Sequence, residues 1–268
     1  MTGAPPVALT IAGSDSGGGA GLQADLRTFT TCGVHGCVAV TAVTVQNSVG
    51  VTGFVAIPPS TVADQIRAVA TDIGIVAAKT GMLASAAIIS AVAEACDEVG
   101  IGASVPLVVD PVAASMHGDP LLADDALAAL RSELLPLATL ATPNLDEVRL
   151  LAGLDVGSRA EQYTAAKALH ALGSQWVLVK GGHLHDDPEC LDLLYDGTEF
   201  TAFTSPRLAT PHTHGSGDTL SAAITSALAH GLAMREAVGY GKRYIEQAVA
   251  HAYPLGAGIG PVSPFWRL

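Results

Sequence analysis

Short runs of β-branched and aliphatic residues alternate along the chain with Ala- and Leu-rich segments of helical spacing, and that alternation predicts an α/β fold. The runs at 7–13, 37–46, 51–57, 75–81, 106–111, 138–142, 176–182 and 190–196 predict strands. Segments 21–31, 59–71, 85–99, 123–134, 158–172, 216–230 and 234–251 predict helices. Most strand runs are continuously apolar, as expected of strands covered on both faces, so the pattern implies a central, mostly parallel β-sheet sandwiched between α-helices. Polar residues gather where the runs stop: Ser14 and Asp15, Gln46 and Asn47, Lys79, Asp110, Asn144 with Glu147, and Lys180. Open parallel sheets bind ligands at the carboxyl ends of their strands, so one sheet edge is expected to hold the site.

Composition narrows this picture. At 268 residues, 49% hydrophobic and 14% charged, the chain can bury a large core, and without a repeat or linker it reads as one domain, 1–268. Thirteen Lys and Arg against 25 Asp and Glu give a net charge of −12, which leaves no basic footprint for nucleic acid or an anionic membrane and points to a small-molecule partner. No apolar run reaches the roughly 18 residues of a membrane span. The opening "MTGAPPVALTIAG" reads as a first strand, not a signal peptide, and the four scattered cysteines (Cys32, Cys37, Cys96, Cys190) suit a reducing, cytoplasmic setting.

Four stretches carry candidate chemistry. In "HGSGDTLSAA" the backbone N–H groups of Gly215, Ser216 and Gly217 can form an anion hole at the positive end of a helix, with Asp218 as a base or as a helix-dipole partner. "SDSGGGAGLQAD" is a Gly-rich strand-to-helix turn, but Leu22 stands where a dinucleotide fingerprint needs glycine. The turn suits a flat ligand approaching backbone, with Asp25 further along the helix. Gln46 offers a paired donor and acceptor that match an aminopyrimidine edge, or a turn nearly as well. Asn144 and Glu147, three apart at the start of a helix, fit either oxygen ligation of Mg²⁺ or a capping box, and Lys180 can reach a phosphate. The "HLH" and "HTH" tracts, 183–185 and 212–214, lack a third ligand and read as loop polarity.

Taken in order, "ALTIAGSDSGGGAGLQADL", "TAVTVQN", "KTGML", "DPV", "GDPLL", "LLPLATLATPNLDE", "VLVKGGH", "HGSGDTLSAAI" and "GIGP" resemble the hydroxymethylpyrimidine and phosphomethylpyrimidine kinases of thiamine biosynthesis, within the ribokinase-like superfamily. The resemblance spans nearly the whole chain. It implies a ribokinase-like fold, ATP as co-substrate with Mg²⁺, and two successive phosphorylations of 4-amino-5-hydroxymethyl-2-methylpyrimidine, with pyridoxal kinase as the alternative. It further implies a pyrimidine pocket of Gln46, Asp25, Met82 and Gly13, and a nucleotide side of Lys180, Asn144, Glu147 and Thr219. Glu147 and Asp110 would serve the metal, Asp218 with Gly215, Ser216 and Gly217 would be catalytic, and the chain would be a homodimer. One departure stands out: this branch usually carries "GTGC" where the chain has "GSGD", so an Asp typical of the wider superfamily occupies the base position.

Overall fold

The computed structural model describes residues 3–113, 122–182, 184 and 188–268. The strands are β1 (Val7–Ala12), β2 (His35–Val40), β3 (Ala42–Asn47), β4 (Gly50–Ala56), β5 (Ala77–Thr80), β6 (Leu107–Val109), β7 (Leu140–Ala141), β8 (Trp176–Lys180), β9 (Glu189–Tyr195) and β10 (Phe200–Pro206). The helices are α1 (Gly21–Thr31), α2 (Pro59–Ala68), α3 (Ala86–Glu98), α4 (Asp124–Ala129), α5 (Leu145–Ala152), α6 (Arg159–His170), α7 (Ser216–Ala229) and α8 (Met234–Ala250).

Among the described residues, eight strands form one sheet in the order β10-β9-β8-β7-β6-β5-β1-β2. From β8 to β2 every pairing is parallel; β9 and β10 close the far edge antiparallel. The parallel strands therefore end at one edge, which brings the loops after β1, β5, β6, β7 and β8 together. The strands are apolar throughout because both faces are covered: Leu9, Ile11, Leu107, Val109 and Val179 pack with α2, α3 and α6 residues such as Ile66, Ile89 and Leu169, while Val108, Leu140 and Leu178 meet Leu220 and Ile224 of α7.

The expected strand 37–46 is two strands. It breaks at Thr41, whose N–H donates to the Ala12 carbonyl (2.9 Å) and whose hydroxyl donates to the Met82 carbonyl (2.7 Å). Beyond this buried pivot the chain leaves the central sheet and pairs as β3 with β4 in a separate antiparallel hairpin. β10 was not expected from the sequence; its "FTAFTSP" is a half-exposed edge strand with Pro at its end, where no neighbour needs the missing N–H. The helices expected to reach Thr71 and Leu134 instead close with wider turns, Val69–Ile73 and Leu130–Leu134.

Candidate active site

The loop after β1 is fastened to the hairpin almost as if it were a third strand. Ser14 N–H donates to the Ala42 carbonyl, Thr44 Oγ1 donates to the Ser14 carbonyl (2.6 Å), and the Ser16 hydroxyl accepts from Gln46 N–H (2.8 Å) and donates to the Gln46 carbonyl (2.6 Å). This satisfies the Gln46 backbone at a bulge in β3, while its half-buried side-chain amide has no partner among the described residues. Gly13 lies against Met82: its N–H donates to the Met82 carbonyl (3.1 Å), and a Cβ at Gly13 would stand 3.0 Å from the Met82 sulfur. Met82 itself is buried.

Asp15 organises the same loop. Its carboxylate accepts from the N–H groups of Gly17, Gly19 and Ala20 and contacts His214 Nε2 at 2.8 Å. Burial opposes its ionisation, but His214 and the Gly17 and Ala20 amides outweigh that and hold the carboxyl below its ordinary value. His214 is thus a clamp between two loops, and His212 Nδ1 accepts from the Gly260 N–H. Both histidines of the "HTH" tract thus have fixed partners, and His214 is buried. His183 and His185, like most of the "GDPLL" block, lie outside the described residues.

The turn before α7 adopts the shape that its glycines allow. Gly215 has φ +74°, and a Cβ there would lie 1.9 Å from the Gly19 carbonyl oxygen, so the close approach of the two loops requires glycine. Ser216 N–H, expected from the sequence to face the opening, instead donates to the Thr213 carbonyl within the turn (3.1 Å). The amides free of a backbone partner among the described residues are those of Gly215, Gly217 and Asp218, at the positive end of the helix. Thr219, expected on the nucleotide side, is buried, its N–H donating to the Gly215 carbonyl. Asp218 keeps 16% of its side chain exposed.

Asp25 departs furthest from expectation. It does not line an opening: its side chain and that of Lys79 are both 0% exposed. Lys79 Nζ donates to one Asp25 oxygen at 2.8 Å, Thr10 Oγ1 donates to the other at 2.6 Å, and Lys79 Nζ lies 3.8 Å from Asp218 Oδ1. Burial pushes the Asp25 carboxyl up to about 7, against the pull of Lys79 and with the repulsion of Asp218. Burial also disfavours the Lys79 charge, but Asp25, Asp218 and Asp110 more than compensate and raise its proton affinity.

On the other side of α7's N-terminus, Lys180 Nζ donates to Asp110 Oδ1 (2.9 Å) and lies 4.0 Å from Glu147 Oε2. Thr142 and Ser221 hydroxyls also donate to Asp110, at 3.2 and 3.4 Å. A Cβ at Gly217 would meet Asp110 Oδ2 at 3.3 Å and Lys180 Nζ at 3.4 Å, so this pair abuts the free amides directly. Asn144 and Glu147 form the full capping box of α5. Burial raises Glu147 to about 8, opposed by Lys180 and reinforced by Asp110.

The structure therefore gathers Asp218, Gly215, Gly217, Lys180, Asp110 and Glu147 at one sheet edge, with Gln46, Met82 and Gly13 along the β1 loop. It withdraws Asp25, Thr219 and the Ser216 N–H from direct contact with that opening. Asp15 and Lys79 were noted at the strand ends, but not the pairing of Lys79 with Asp25 or of Asp15 with His214, and Thr10 and Ser221 were not singled out. A legible signal existed for the first pairing: Asp25 falls on the apolar stripe of α1 with Leu22 and Phe29, and Lys79 interrupts an apolar strand, so each needed a buried opposite charge.

A mostly parallel sheet with an amide-lined helix start, an adjoining carboxylate and a lysine–carboxylate pair fits a ribokinase-like kinase. The sequence model of the phosphomethylpyrimidine kinase family matches residues 15–263, and the chain belongs to that family. It is 59% identical over 263 residues to the hydroxymethylpyrimidine/phosphomethylpyrimidine kinase of Mycobacterium leprae, covering 97% of this chain and 94% of that one. Among solved structures, it resembles a pyridoxal kinase from Bacillus subtilis bound to ADP (TM-score 0.86, 39% identity, 97% of each chain). It also resembles phosphomethylpyrimidine kinase from Clostridium difficile 630 (TM-score 0.80, 38% identity, 91% of this chain and 99% of that one).

Proposed function

We propose that the chain is an ATP- and Mg²⁺-dependent kinase that phosphorylates the hydroxymethyl oxygen of 4-amino-5-hydroxymethyl-2-methylpyrimidine, and then its monophosphate to the diphosphate. The observation that carries this reading is the Asp218 carboxylate beside the unpaired amides of α7, with the Lys180–Asp110 pair against the same turn. Asp218 takes the hydroxyl proton as the alcohol oxygen bonds to the γ-phosphorus and the bond to the β-phosphate oxygen breaks, releasing ADP. The amides of Gly215, Gly217 and Asp218, with Lys180, stabilise charge on the transferred group. In the second transfer the acceptor is a phosphate oxygen, already ionised, and Asp218 matters less.

Gln46, with its unpartnered amide, would read the pyrimidine amino group and ring nitrogen, with Met82 against the ring. The described residues hold no cluster of three or more side chains shaped for a metal ion. That donor set nonetheless suits Mg²⁺, which takes one or two carboxylates and completes its shell with phosphates and waters. Asp110 and Glu147 would hold it, and its charge would offset that of the β- and γ-phosphates. No described helix is long and apolar enough to cross a membrane, which fits a cytoplasmic enzyme. Val43, Val45 and Val55, 51%, 62% and 68% exposed on the hairpin, supply an apolar face for the homodimer we expect.

A second reading, pyridoxal kinase, is favoured by the similarity to the B. subtilis enzyme. Mass analysis of products after incubation with ATP, Mg²⁺ and either alcohol decides between them. Mono- and diphosphate from the pyrimidine support our reading, and turnover of pyridoxal alone overturns it.

A further inference from the structure

A fully buried ion pair is a poor source of stability, because desolvating two charges offsets most of their attraction. The Asp25–Lys79 pair is nevertheless placed inside the fold, bridging β5 and α1, with Asp218 within reach of the ammonium. We infer that Lys79 is a positioning residue for phosphorylation of the alcohol: held back by Asp25, its ammonium steadies the Asp218 carboxylate toward the acceptor without pairing with it. This rests on the assignment of Asp218 as the base.

The distances carry the argument. The ammonium sits 2.8 Å from Asp25 and 3.8 Å from Asp218, so it is bonded to the first and only adjacent to the second. Were Asp25 absent, nothing would keep Lys79 from closing on Asp218 as a direct pair, and the base would be lost to the ammonium. Thr10 prevents Asp25 from moving with it by occupying its second oxygen at 2.6 Å. The charged groups that act most strongly on Lys79 are Asp25 on α1, Asp218 on α7 and Asp110 at the end of β6, and Lys180 pairs with that same Asp110. When Asp25 and Asp218 are both ionised the three groups sum to −1; once Asp218 takes the proton, its pull on the ammonium and its repulsion of Asp25 are both lost, which favours the Asp25–Lys79 bond.

Replacing Lys79 alone would strand a buried carboxylate, so the informative variant is Lys79→Gln with Asp25→Asn, a neutral amide pair in which the introduced asparagine oxygen can still accept from Thr10. Each protein is assayed with ATP and Mg²⁺ on the pyrimidine alcohol and, separately, on its monophosphate. We expect kcat for the alcohol to fall by roughly 10- to 100-fold, the scale of a misplaced catalytic group, with KM for the alcohol little changed. Turnover of the monophosphate should fall by less than about threefold, since its oxygen needs no base. Asp25→Asn alone keeps the ammonium and frees it to approach Asp218. The acid limb of the alcohol pH–rate profile should move to lower pH in this variant and to higher pH in the double variant.

Equal losses on both acceptors, no loss on the alcohol, or limbs moving in the same direction would each overturn the inference. If the double variant does not fold, the single variant decides by the direction of its limb. A wild type that phosphorylates neither acceptor contradicts the substrate reading instead. The inference is then read without substrate from the Asp218 carboxyl ¹³C signal, whose titration midpoint must move in opposite directions in the two variants for it to stand.

Discussion

Asp218→Asn keeps the shape of the turn and the free amides of α7 while removing the oxygen that can accept a proton. Loss of a general base costs roughly 10²–10⁴ in rate, or about 2.7–5.5 kcal/mol of barrier, and it should fall on the alcohol step. The structure limits what else can change. Asp218 lies in the first turn of its helix, where a carboxylate is worth about 0.3–1 kcal/mol against the dipole. Its attraction to Lys79 at 3.8 Å is offset by its repulsion of Asp25, so neutralising it removes opposing contributions. The variant should therefore melt close to wild type, and Asp25 should ionise more readily. Purified protein is assayed on the alcohol and on the monophosphate in separate reactions, with thermal melts as the folding control. A large loss on the alcohol with a small one on the phosphate is expected; equal losses would refute the base assignment and leave Asp218 as part of the anion site.

Gln46→Leu should weaken pyrimidine binding by about 1–3 kcal/mol, the cost of unpaired polar groups on the ligand, with ATP binding retained in calorimetry. Glu147→Gln should raise the Mg²⁺ needed for half-maximal rate, and Lys180→Ala should lower the rate without unfolding the protein; wild-type behaviour across a Mg²⁺ titration would reassign both to capping and packing. Ala84, two residues after Met82, has φ +68°, a conformation that costs a non-glycine residue about 1–2 kcal/mol, so Ala84→Gly should raise stability toward denaturant by about 1 kcal/mol after the entropy of the freer unfolded chain is deducted. Asp25 is raised from 3.8 to about 7, so its proton-linked contribution to stability is complete below pH 3.8 and is lost as pH rises through about 7. Across that window wild type should lose melting temperature relative to the neutral Lys79→Gln, Asp25→Asn protein.

The sheet, the helices that cover it and the edge where the candidate residues gather were legible because apolar runs and turn signals encode them locally. The break at Thr41 was not, since "CVAVTAVTVQ" is apolar on both sides of it and only the partners of Thr41, Ala12 and Met82, turn the chain out of the sheet. In the candidate site, the glycines and Asp218 declare themselves by spacing, whereas the loss of the Ser216 N–H to Thr213 depends on how tightly one turn closes. Asp25 illustrates a different limit. Its residue type suggested contact with a ligand, and its place on the apolar stripe of α1 pointed inward; the stripe was the better guide.

The interlock of Gly19 and Gly215 bears on how such an enzyme can diversify. Any side chain at 215 would collide with the Gly19 carbonyl, and a Cβ at 19 would come within 2.5 Å of the His214 ring, so neither glycine can be substituted unless the facing loop moves with it. The turn before α7 and the loop after β1 are thereby locked into joint inheritance. The hairpin carries no such restriction: Gly50 and Gly53 face open space, and β4 is largely exposed. With the site as proposed, new acceptor preferences should arise by drift in the hairpin, around a turn that single substitutions at 19 or 215 cannot remodel.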